Sequence, residues 1–178
     1  MILRAQNIYP NMKKVLSIIS LSAILFTSCM TSRALMGTYQ DTAYTKTVDL
    51  TYEEAWSRVF DFFATTGAPI TTIDKSSGLI VSRMSFRGYH TVERDGRPEN
   101  PNAFVVTPVL HGAYGIPVEP SKITGDWNVR IKPQGDKTNI SINVTNLECL
   151  YYNGTTNVNA PVASTGNFER SLFLTITQ

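Results

Sequence analysis

The sequence predicts an α+β domain in which an antiparallel sheet is packed by two helices, and three observations carry that prediction. An amphipathic helix from Thr51 to Thr66 is bracketed by its own start and stop signals. Segments with period-two apolar alternation flank short polar turns on either side of residue 135. A C-terminal stretch then returns to four-residue apolar spacing. Of the 178 residues, 42% are hydrophobic and 17% charged, enough apolar material for one core and an ordinary polar surface.

Residues 47–50 alternate as a short strand and run into Thr51-Tyr52-Glu53-Glu54, a capping box in which Thr51 and Glu54 satisfy each other's free amides. Tyr52, Ala55, Trp56, Val59, Phe60 and Phe63 then recur on one helical face, with Glu53, Glu54, Ser57, Arg58 and Asp61 opposite. Gly67 supplies a left-handed C-cap and Pro69 forbids continuation. Residues 70–74 and 79–86 read as strands around Lys75-Ser76-Ser77-Gly78, so the domain opens β-α-β-β.

Residues 87–123 break the pattern, with four prolines from Pro98 to Pro117 and glycines at 112 and 115; they read as an irregular insertion. Within them Phe104, Val105, Val106, Val109 and Leu110 form an apolar run with three expected fates: edge strand, cover for the sheet, or interface for a partner. Trp127, Val129 and Ile131 alternate inward on the next strand. On the one after, Ile140, Ile142 and Val144 share a face that restarts out of phase at Leu147, Cys149 and Tyr151, so a β-bulge is expected near Thr145-Asn146. Residues 153–162 read as loop. Phe168, Leu172 and Ile176 mark a terminal helix, with Phe173 and Leu174 widening its apolar face and Glu169 near its positive end.

The amino end carries a different message. Lys13-Lys14 precede an apolar run, Val15 to Phe26, that is too short and too serine-rich to span a bilayer, the layout of an export signal. Phe26-Thr27-Ser28-Cys29 resembles the lipobox of bacterial lipoproteins of the Bacteroidetes type. That resemblance implies cleavage before Cys29 and acylation of its thiol, for instance with palmitate. Each buried methylene contributes about 0.8 kcal/mol to holding such a chain at a membrane. The expected organisation is a signal peptide at 1–28, of which 1–11 reads as an upstream start; a lipidated tether at 29–45; and the domain at 46–178. In lipoproteins of that type an acidic run after the cysteine resembles a surface-export signal; Met30-Thr31-Ser32-Arg33 has none, so the resemblance implies an outer-membrane anchor with the domain facing the periplasm. Asp41-Thr42-Ala43 looks like the three-residue O-glycosylation motif of the same phylum.

The Glu-Glu-Ala-Trp helix opening and the Ile-Asp-Lys-Ser-Ser-Gly turn, within residues 47–83, resemble the helix-grip-like domains of periplasmic lipoproteins such as the lipoprotein C subunit of the β-barrel assembly machinery. Those motifs are structural, so the resemblance implies a fold and a location, with another envelope protein as partner, and no catalytic residues.

Chemistry is sparse. His90 and Glu93 have a two-ligand spacing that His111 could complete, the one arrangement that would make a metal-dependent hydrolase. No Gly-x-Ser-x-Gly elbow and no phosphate-cradling Gly-Lys-Ser loop is present. No cofactor is implied. With 16 basic against 14 acidic residues the chain has no electrostatic footprint for nucleic acid. Cys149, in an apolar run without basic neighbours, reads as a small buried hydrophobe. The sequence thus leaves a non-catalytic, lipid-anchored interaction module first. Second is a binder of small apolar ligands, with Trp56, Phe60, Phe63 and Trp127 as its pocket wall.

Overall fold

A computed structural model describes residues 32–178; Cys29 and the expected export signal at 1–28 lie outside the described residues. The first strand, β1 (Tyr44–Val48), starts two residues before the expected domain boundary, and it leads into α1 (Tyr52–Thr66). Thr51 caps that helix with its side chain, the Glu54 carboxylate closes the capping box, and Gly67 ends the helix at φ 67°. The hairpin β2 (Ile70–Asp74) and β3 (Leu79–Ser85) follows, completing the β-α-β-β opening. Its turn is tight for a specific reason: Gly78 sits at φ 70°, and a Cβ there would lie 1.9 Å from the Ile131 carbonyl oxygen.

Two long strands, β7 (Lys122–Gln134) and β8 (Lys137–Tyr152), form the centre of a six-stranded antiparallel sheet in the order β1-β8-β7-β3-β2. The sixth strand, β9 (Asn157–Ala160), pairs with the second half of β8. The expected bulge is present: Asp126 pairs with Thr145 and Thr124 with Glu148, so Asn146 and Leu147 together face Gly125, and Asn146 adopts φ 50°. That extra residue switches the inward set from Ile140, Ile142 and Val144 to Cys149 and Tyr151.

The expected irregular insertion is a second sheet. It contains β4 (His90–Arg94), β5 (Arg97–Pro98) and β6 (Val105–Thr107), joined by β10 (Ala163–Ser164) in the order β10-β6-β4-β5. One pair, β4 with β6, is parallel, so the domain is not purely antiparallel. These strands are only two to five residues long and bounded by Pro and Gly. Too few residues alternate for period two to show in sequence. The expected loop at 153–162 likewise contains β9, whose polar residues Asn157 and Asn159 face outward.

The terminal helix, α2 (Asn167–Thr177), packs beside α1 on the same face of the large sheet. Leu172 and Ile176 are buried, but Leu174 is 57% exposed. Two residues at 3.6 per turn place it opposite Leu172, so it does not widen the apolar face; Phe173 does, with its ring edge-on to Tyr44. Among the described residues, no helix is long and apolar enough to cross a membrane.

Candidate functional site

The segment after Cys29 behaves differently from a free tether. From Met36 onward it is a strap bound to the second sheet, and the group that binds it is Glu93 on β4. The Glu93 carboxylate, only 8% exposed as a residue, accepts the amides of Met36 at 2.9 and 3.0 Å and of Gly37 at 2.8 Å, together with the Tyr39 hydroxyl at 2.7 Å. Burial alone would raise the Glu93 pKa. The hydrogen bonds from Tyr39, Met36 and Gly37, with Arg33 nearby, outweigh it and hold the carboxyl below its ordinary value. Burial and the same carboxylate push the Tyr39 phenol well above its own ordinary value.

The strap is further fixed at each end. A Cβ on Gly37 would lie 2.3 Å from the Gly96 carbonyl oxygen in the β4–β5 turn, so a larger residue would lift the strap away. At its other end the Gln40 amide donates to the Ser164 carbonyl of β10 at 3.0 Å. Strap residues 38–42, residues 96–98 and Thr165 border a polar surface cleft of about 520 Å³.

Glu93 is thereby spoken for, and the expected metal trio does not assemble. The ring nitrogens of His90 contact the Arg87 carbonyl and, at 3.0 Å, Glu119 Oε2, while His111 is bridged to Pro117 in a separate hairpin. Among the described residues, no group of three or more His, Cys, Asp and Glu side chains is placed to hold a metal ion.

The four expected pocket-wall residues do not share a wall. Trp127 stacks on Phe63 with ring centroids 4.8 Å apart and receives Phe62 and Phe168 edge-on at 6.2 and 5.5 Å, so the space between helix and sheet is filled by rings of the protein itself. Trp56 is 9% exposed, but Phe60 is 45% exposed. It lies roughly a quarter turn from the centre of the buried stripe, where Phe62 takes its place in the packing.

Of the three fates expected for the run from Phe104 to Leu110, burial within the domain is the one observed, and the exposed interface is not. Val105 and Val106 are fully buried and Leu110 is 2% exposed, because β6 is an interior strand covered on both sides. Phe104 is half-buried, stacked on Tyr89 at 5.0 Å; only Val109, 38% exposed, still faces out.

No protein-family model matches the chain, and no curated protein matches it either. The features that the geometry does bring together are the Glu93 cradle and a second carboxylate, which the sequence placed at a helix start without expecting its burial. Glu169, on the inner face of α2 and fully buried, receives the hydroxyl of Ser164, whose oxygen lies 2.8 and 3.0 Å from its two carboxylate oxygens. A carboxylate three residues before Leu172 and seven before Ile176 was a legible sign that Glu169 lies on the buried stripe.

Proposed function

We propose that the protein is a lipid-anchored envelope component, attached to the outer membrane through Cys29 and facing the periplasm, whose domain acts as a non-catalytic docking or scaffolding module for another envelope protein. The observation that supports this reading is the Glu93 cradle. It sits seven residues after Cys29 in the chain, counted to Met36, and those residues span at most about 25 Å when extended. An acyl anchor joined to a strap held by three donors on one buried carboxylate positions the domain close against the membrane surface. A long flexible linker would instead let it roam.

The test is Cys29→Ser in the source bacterium, followed by fractionation and labelled-palmitate incorporation. The reading expects loss of label and release from the membrane fraction. Retention of both in the variant would defeat it.

A further inference from the structure

An exposed hairpin at one end of the domain is built for contact and not for stability. Residues 110–118 fold back on themselves through Val118 N–H to the Leu110 carbonyl at 3.0 Å and Gly112 N–H to the Ile116 carbonyl at 2.8 Å. The turn at the apex places two successive residues in the left-handed region, Tyr114 at φ 59° and Gly115 at φ 73°. Such a turn favours Asn-Gly. A tyrosine at its first position costs roughly 1 kcal/mol in backbone strain, and its side chain, 99% exposed, returns nothing through packing.

The tip is packed against a neighbouring loop as well as exposed. It is braced by the β8–β9 loop: a Cβ on Gly154 would lie 2.7 Å from the Ala113 Cβ, and one on Gly112 would lie 3.9 Å from the Asn153 carbonyl oxygen. Ile116 is 61% exposed on the hairpin, and Tyr152, at the base of the bracing loop, is 54% exposed. The two chain segments that meet here, residues 100–118 and 149–168, contain no Asp, Glu, Lys or Arg. Other exposed faces differ. The outer face of the large sheet carries Arg83 paired with Asp126 and Glu148, and Lys122 paired with Glu148; the β2–β3 turn carries Lys75 paired with Glu53.

We propose that this charge-free tip, with Tyr114 at its apex and Ile116 and Tyr152 flanking it, is a second membrane contact that rests in the headgroup layer of the bilayer. The occupant follows from the leash. Seven chain steps separate Cys29 from Met36, where the strap is first held, about 25 Å of extended chain, so on the anchored reading above the domain stays within reach of the lipid surface. The face without charges loses least on leaving water, and tyrosine with an aliphatic neighbour is the chemistry that partitions to that layer.

The experiment uses full-length acylated protein in vesicles of phosphatidylethanolamine and phosphatidylglycerol, with and without brominated acyl chains. Tyr114→Trp is read by fluorescence against the constant background of buried Trp56 and Trp127. Quenching of the added tryptophan by about twofold is expected for a ring lying at the acyl boundary. Asp136→Trp, in the β7–β8 turn at the opposite end of a strand about 40 Å long, is expected to stay unquenched. Ile116→Trp, at an ordinary φ of −72°, repeats the readout should the first variant fail to fold. Equal response at 114 or 116 and at 136, or no response at any of them, overturns the membrane contact and leaves the tip to a protein partner. Flotation of Cys29→Ser on the same vesicles is scored separately and judges the anchor alone.

Discussion

Tyr39 donates its hydroxyl to Glu93 Oε1 at 2.7 Å across 54 residues of sequence, and this bond turns the segment after Cys29 from a linker into part of the domain. Around the same carboxylate the Met36 and Gly37 amides complete the grip, and the strap lies over the second sheet in consequence.

Glu93→Gln replaces a charged acceptor with a neutral amide whose N–H₂ end faces donors. A loss of about 1–3 kcal/mol is expected from charge-assisted hydrogen bonds of this kind, and about 1 kcal/mol for Tyr39→Phe. Chemical denaturation gives the magnitude. Hydrogen exchange at Met36 and Gly37 shows whether the strap opens before the rest, and unchanged protection of those amides in Glu93→Gln would refute the grip.

Acid should loosen the strap by the same route. The Glu93 carboxyl is held below its ordinary value when folded, so its stabilisation is complete above the unfolded pKa of about 4.3 and disappears as pH falls through the lower, folded value. Protease susceptibility of residues 32–43, followed against pH, is expected to rise only below the usual carboxylate range. Asp74, whose carboxylate accepts the Ser76 hydroxyl and the Ser76 and Ser77 amides, is held down at about 2, and its turn should survive to still lower pH.

Ser164→Ala removes the single hydroxyl proton offered to the buried Glu169 carboxylate. A destabilisation of about 1–3 kcal/mol is expected, read as a fall in melting temperature. The double variant with Glu169→Gln should recover part of the loss, since a neutral amide is easier to bury than an undonated carboxylate.

Cys149 is 1% exposed, and burial pushes its thiol up to about 11. Native protein at neutral pH is expected to leave a thiol reagent such as DTNB unreacted at this position and to titrate it only after denaturation. Rapid native labelling of Cys149 would mean that the β8–β9 region opens readily.

Trp127→Ala removes the ring against which Phe62, Phe63 and Phe168 all pack, and about 3–5 kcal/mol of stability should go with it. Phe60→Ala, on the exposed side of the same helix, should cost much less, and guanidinium unfolding of the pair checks that ordering.

Local signals were legible wherever one residue's own chemistry decides the outcome. Thr51 and Glu54 cap α1, Gly67 ends it, Gly78 closes a turn that no larger side chain fits, and the phase break near Asn146 marks a bulge; each is settled within a few neighbouring residues. Partners distant in sequence were not legible. Nothing local couples Tyr39 to Glu93, or short β6 to its parallel neighbour β4, since each depends on which segments the closed fold brings together. Thus the sequence by itself determined the α+β class, the opening unit and the inward faces of the long strands, through periodicity and capping. Only the tertiary structure decided that the insertion is a second sheet, that its apolar run is interior, and that the strap is docked, because burial and hydrogen-bond satisfaction are properties of assembled surfaces.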